Sequence, residues 1–109
     1  MITADDFNKI DVRAGTIVKS EPFPESKKPA IKLWIDLGSL GIKKSSAQIT
    51  ALYTPQELIN RQVICVVNFP TKQIGPFISE VLVTGFEDEE KRIVLCNIDK
   101  KVPNGARLF

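Results

Sequence analysis

The chain has 109 residues, 43% hydrophobic and 26% charged, with a net charge of +2 and no histidine. A chain of this size forms one domain, residues 1–109, which buries somewhat over ~60% of its unfolded surface and folds without disulfide or metal staples. The composition excludes disorder, collagen and coiled coil, and the absence of histidine excludes Ser-His and Cys-His dyads and imidazole zinc sites.

No apolar run approaches the ~18 residues that span a bilayer, and the start, MITADDF, is acidic, unlike a signal peptide. Membrane insertion is therefore not expected, and the expected compartment is the cytoplasm. Cys65 and Cys96 each sit in an apolar β-type run, where free cysteine behaves as a small hydrophobe. Two distant cysteines make no metal site. No metal, cofactor or catalytic residue is expected.

In chain order, Thr3-Ala4-Asp5-Asp6-Phe7 predicts a short helix, with Thr3 as N-cap, Asp6 three residues on, and Asp5 and Asp6 favoured by the positive end of the helix dipole. Asp11 to Glu21 then reads as a strand with Val12, Ala14, Thr16 and Val18 on one face, and Gly15 suggests a bulge or bend within it. Pro22, Pro24 and Pro29 bracket a loop carrying Lys27 and Lys28. Beyond it, Ala30 to Leu37 alternates cleanly, Ile31, Leu33, Ile35 and Leu37 inward, Lys32, Trp34 and Asp36 outward. An outward Trp34 beside a cation suits stacking on a base or seating an apolar peptide side chain; packing under a loop or in a dimer contact is the other reading.

Ile42 to Thr50 is a polar strand entered by Lys43 and Lys44, with Ser46 and Gln48 on one face as hydrogen-bonding groups for phosphate or as a solvated surface. Thr54-Pro55-Gln56-Glu57 predicts a helix with N-cap, proline at the first helical position and a capping box, stopping near Asn60. Val63 to Val67 reads as a buried strand. Pro70 and Gly75-Pro76 mark Thr71 to Pro76 as a surface loop presenting Lys72, Gln73 and Ile74, and Phe77 to Val83 as the returning strand. Ser79-Glu80 is the anomaly in that strand, because a carboxylate among apolar residues either points to solvent or meets a partner. Glu87 to Arg92 is a charged tip, Ile93 to Cys96 a strand, and Asn104-Gly105 a turn that returns Leu108 and Phe109 toward the body.

The order β-β-β-α-β-β after a short helix points to an all-β fold, a five-stranded OB-fold barrel with a helix between strands 3 and 4 and a C-terminal extension. The runs DVRAGTI (11–17), KLWIDLG (32–38), SSAQIT (45–50), Tyr53 with Pro55-Gln56-Glu57-Leu58, VVNFP (66–70), SEVLV (79–83) and VPNG (102–105) lie in one register across nearly the whole chain. On these runs the chain resembles the tRNA-binding domain family, found at the C-terminus of methionyl-tRNA synthetases and in stand-alone tRNA-binding proteins, and within it most closely the CsaA-type export chaperones. The tRNA-binding relatives carry a more basic central loop; here Thr71-Lys72-Gln73-Ile74-Gly75-Pro76 keeps one cation, which implies fewer phosphate contacts.

The resemblance implies binding without catalysis. Its expected partners are tRNA or other structured RNA, an unfolded or export-bound polypeptide, and a second copy in a homodimer. Candidate RNA-contacting residues are Ser46, Gln48, Asn68, Lys72, Gln73, Ser79 and Glu80, with Lys43, Lys44, Lys27 and Lys28 as phosphate partners. Trp34, Phe69, Ile74 and Phe77 are the candidate apolar lining for polypeptide. Phe7, Ile10, Val102, Leu108 and Phe109 carry more apolar surface than a minimal barrel needs and are the candidate dimer contacts.

Overall fold

A reciprocal cap starts the chain: in a computed structural model describing residues 1–109, Thr3 N donates to Asp6 Oδ2 at 2.9 Å while Asp6 N donates to Thr3 Oγ1 at 3.3 Å. This box holds the single turn α1, Ala4–Asn8, as the sequence predicts. The following strand β1, Val12–Pro22, is the hub of the sheet. Its first half pairs with β4 (Gln62–Val66) and its second half with β2 (Ile31–Asp36), both antiparallel. The tail runs along β1 as well, since Gly105 N donates to Ala14 O at 2.7 Å and Leu108 N to Val12 O at 2.8 Å.

Two expectations for β1 are corrected. The irregular register falls between Ile17 and Lys19, not at Gly15. Gly15 is instead a close-packing position, where an added Cβ would lie 2.5 Å from Ile35 Cγ2. The expected face also holds only in its first half: Val12 and Ala14 are buried, but Thr16 is half-buried and Val18 exposed, and Ile17 enters the main core instead. Thr16-Ile17-Val18 is β-branched at every position, so alternation alone cannot choose its face.

In β2 the alternation decides the packing, for Ile31, Leu33 and Ile35 are all buried, with Leu37 just beyond. β3, Ile42–Ala47, pairs with β2 and is shorter than its polar run suggests. The helix α2, Pro55–Leu58, sits between β3 and β4; Glu57 Oε1 accepts from Thr54 N at 2.8 Å, and Leu58 plugs into the core. Ile59, already extended, caps it, and Asn60 follows in the left-handed region at φ 69°. Cys65 is buried in β4, and that burial pushes its thiol pKa up to about 12, so it remains an uncharged packing group at neutral pH.

The segment from Thr71 to Val83 differs most from expectation. Lys72–Ile74 forms a strand, β5, hairpinned to β6, Phe77–Ser79, across Gly75-Pro76, where the sequence suggests a loop. The returning run is broken before β7, Leu82–Val83, because Glu80 and Val81 turn to β3: both N–H groups donate to Lys44 O, at 2.8 and 3.2 Å. Lys44 N donates back to Glu80 Oε1 at 3.1 Å, and Ser46 N donates to Ser79 Oγ at 3.1 Å. The strand order β3-β2-β1-β4-β7 thereby closes into a nearly complete antiparallel barrel, the OB-fold the sequence predicts. The polar pair Ser79-Glu80 is the closing seam. β8 (Gly85–Glu87) and β9 (Ile93–Leu95) form a separate hairpin whose tip is held by the Asp88 carboxylate, which accepts from Glu90 N and Arg92 N.

The tail turns at Asn104-Gly105 as expected and is tied to β1 and β4 by side chains. Thr16 Oγ1 donates to Asn104 Oδ1 at 2.6 Å, and the Gln62 amide exchanges hydrogen bonds with the Val102 main chain at 2.8 and 3.1 Å. No helix is long and apolar enough to cross a membrane.

Candidate binding groove

Beside the closing seam the hairpin β5–β6 leans over the end of β3 and leaves an open groove of about 710 Å³. It is lined by Ser46, Gln48 and Ser79, by Lys72, Gln73 and Ile74 as the β5 wall, and by the proline-bracketed loop with Glu25, Lys27 and Lys28. Phe69, 52% exposed, stands at one end with Leu82, 49% exposed. The fold thus gathers most of the candidate RNA residues, and two of the candidate peptide residues, in one concavity. The sequence reading missed Glu25, Ser26, Pro70, Gly75, Val81 and Leu82. Leu82 lies in an apolar run, and only the break at Glu80-Val81 turns it outward.

Other candidates lie elsewhere or are already engaged in the fold. Lys43 faces a neighbouring pocket of about 350 Å³, which shares Phe69, Glu80 and Val81 with the groove. Asn68 is occupied internally, its Oδ1 accepting from Asp11 N at 2.9 Å and its Nδ2 donating to Lys9 O at 2.7 Å. Beside it, Arg13 Nε donates to Asp11 Oδ1 at 2.6 Å and holds that carboxyl below the usual carboxylate range. Ser79 and Glu80 border the groove, but each already binds a β3 N–H.

Trp34 and Phe77 form the support behind the groove. Phe77 is 6% exposed and meets Phe23 edge-on at 5.4 Å and Trp34 at 5.8 Å, with Ile74 packed against the same cluster. A ring so enclosed is not a lining residue; it fastens the hairpin to the outer face of β2. Lys19 Nζ lies 4.5 Å from the centre of the half-buried Trp34 ring and Lys44 Nζ 5.2 Å from that of Phe77, so both aromatics already have cationic neighbours. Trp34 thus packs against Phe77 on one side and stays half-exposed.

Of the candidate dimer residues, Phe7, Ile10, Leu108 and Phe109 are exposed and Val102 is half-buried. Arg107 donates to Asn8 O at 2.9 Å, so α1 and the tail lie together on one side of the molecule.

The chemistry of the groove is that of binding. Exposed ammonium groups from Lys27, Lys28 and Lys72 can meet anionic oxygen, Gln48 can hydrogen-bond, and Phe69 offers an aromatic surface. No cluster of carboxylates and thiols that could hold a metal ion is present.

Comparison with known proteins agrees with this architecture. Residues 12–107 match the family described as "Putative tRNA binding domain". Among solved structures, the chaperone CsaA of Bacillus anthracis is 46% identical with a TM-score of 0.94, covering 100% of this chain and 99% of that one. The CsaA chaperone protein of Picrophilus torridus is 48% identical with a TM-score of 0.92, covering 100% of both chains. The methionine–tRNA ligase of Methanocaldococcus jannaschii is 32% identical over 100 residues, which are 92% of this chain and 15% of that protein. The chain spans 14–16% of the methionine–tRNA ligases it matches. A family match over nearly the whole chain, carried by the fold that builds the groove, shows that the chain belongs to the tRNA-binding domain family.

Proposed function

We propose that residues 1–109 act as one non-catalytic binding unit that takes tRNA or another structured RNA along the groove and holds unfolded, export-bound polypeptide on overlapping surface in the cytoplasm. The observation that carries the reading is the convergence of Lys27, Lys28 and Lys72 with Gln48 and exposed Phe69 around one concavity. Family membership supports the RNA half, and the likeness to CsaA chaperones supports the polypeptide half. A second reading, polypeptide binding with little RNA binding, is favoured by the single cation of β5 and its turn.

Competition tests the shared surface. An apolar peptide titrated against the fluorescence of Trp34, which sits behind β5, is expected to bind more weakly in proportion to the tRNA already bound at low salt. An unchanged peptide dissociation constant in saturating tRNA defeats the shared groove, and absence of tRNA binding at low salt selects the second reading.

The exposed apolar side chains of α1 and the tail support a homodimer through Phe7, Ile10, Leu108 and Phe109 with Val102 at the margin. Light scattering at micromolar concentration is expected to give twice the chain mass, and Phe7→Asp with Leu108→Asp to return it to one. A monomeric mass for the unaltered protein removes this proposal.

A further inference from the structure

We infer that an extended polypeptide docks by adding a third strand to β5, with the main-chain N–H and C=O of Gln73 as its pairing point. The inference rests on the polypeptide half of the proposed function and specifies how that ligand is held.

Strand parity supplies the geometry. Gly75-Pro76 is a two-residue turn with Gly75 at φ +56°, so the flanking pair Ile74 and Phe77 is the hydrogen-bonded one. Antiparallel pairs alternate between hydrogen-bonded and open, which makes Gln73 with Ile78 an open pair and directs the Gln73 N–H and C=O away from β6. The other side of the hairpin is not available, because β6 lies against β3 through the bond from Ser46 N to Ser79 Oγ. The groove is lined by Lys72, Gln73, Ile74 and Gly75 but, from β6, by Ser79 alone, so it borders the β5 edge. The Gln73 side chain does not block that edge, for its Nε2 donates to Gly75 O at 3.2 Å along the hairpin itself.

A donor and an acceptor side by side on an edge match a polypeptide main chain, which supplies the complementary pair in one residue. A phosphate accepts from the N–H only and leaves the carbonyl unpaired. Charge narrows the occupant further. Lys72 adjoins the pairing point, and Lys27 and Lys28 line the same groove; these three cations outnumber its two carboxylates, Glu25 and Glu80, of which Glu80 already accepts from Lys44 N. Side chains of an added strand alternate between faces. A segment that places aspartate or glutamate and a large apolar residue at alternate positions of one face meets both the lysines and the Phe69–Ile74 surface.

The probe is a short acetylated, amidated, fluorescein-labelled peptide with leucine and aspartate taking turns at every second position and serine between them, read by anisotropy. Gln73→Pro removes the outward N–H without touching a hairpin hydrogen bond and is expected to weaken the probe about tenfold, the loss expected for one or two main-chain hydrogen bonds. Gln73→Ala, which removes only the side chain, is expected to stay within about twofold. N-methylation of the probe's central residues is expected to weaken its binding to the unaltered protein by the same factor, which keeps the test independent of how the proline variant folds. Equal affinity of the N-methylated and parent probes overturns strand addition while leaving polypeptide binding intact. Failure of the unaltered protein to bind the probe while it binds tRNA overturns the polypeptide half of the function and this inference with it. A Gln73→Pro effect on oligomeric mass, with no effect on probe affinity, assigns the edge to a second copy of the chain and also overturns the inference.

Discussion

Replacing Lys27, Lys28 and Lys72 together by alanine is expected to lower tRNA affinity by about two orders of magnitude near 0.1 M salt. The slope of log affinity against log salt should become shallower by about two to three, since each phosphate contact contributes ~0.7 on single strands and ~0.9 on duplex. All three side chains are exposed and line the same groove, so the triple change removes contacts without disturbing the core. Lys72→Ala alone should shift the slope by roughly one, with the affinity loss similar for all RNA sequences, as for a phosphate contact that reads no base. The matched control is Lys91→Ala with Lys100→Ala and Lys101→Ala, equal in charge removed but outside the groove lining. If the control loses as much affinity and slope as the groove triple, RNA responds to net charge and the groove is not its site.

What the sequence makes legible here is what local chemistry decides. The clean alternation of Ile31, Leu33 and Ile35 gives β2 its buried face, the Thr54–Glu57 box with Pro55 gives α2 its start, and Asn104-Gly105 gives the tail its turn. Each signal is contained within a few residues. β1 escapes such reading because Thr16, Ile17 and Val18 suit either face, and the choice is made by Ile35 and Leu37, whose side chains take the space over Gly15. The Ser79-Glu80 seam is less legible still. Its partner, the β3 main chain around Lys44 and Ser46, lies more than thirty residues away, and a carboxylate accepting a main-chain N–H looks, in sequence, the same as one facing water. The groove was legible as a set of residue types near the central segment. Its division into wall and support was not, because Phe69 and Phe77 are equivalent as letters, and only the packing of Phe23 and Trp34 over Phe77 separates the buried ring from the exposed one.

That packing makes Phe77 the position where stability and binding are most closely joined. Phe77→Ala is expected to cost about 3 kcal/mol, the lower end for a buried phenylalanine, because Phe23 and Trp34 can partly close the space it leaves. For a domain of this length the melting temperature should fall by roughly 15 °C. The consequence for function follows from size: β5 and β6 have three residues each, and a two-stranded hairpin is marginal in water without a surface to pack on. Phe77 and Ile74 are its apolar contacts with the aromatic cluster, so their loosening releases Lys72 and Gln73 from the groove wall. Amide exchange should then rise in residues 72–79 more than in β2, and tRNA and peptide should both weaken. Phe77→Leu, which keeps an apolar side chain against Trp34, should recover most of the binding and part of the stability. Ile78→Ala is the contrast, because its side chain is exposed on the opposite face of the hairpin and its loss should stay within about 0.5 kcal/mol. A Phe77→Ala protein that melts within a few degrees of the unaltered chain and binds tRNA equally well would show that the hairpin is held by the Ser79–Glu80 seam alone.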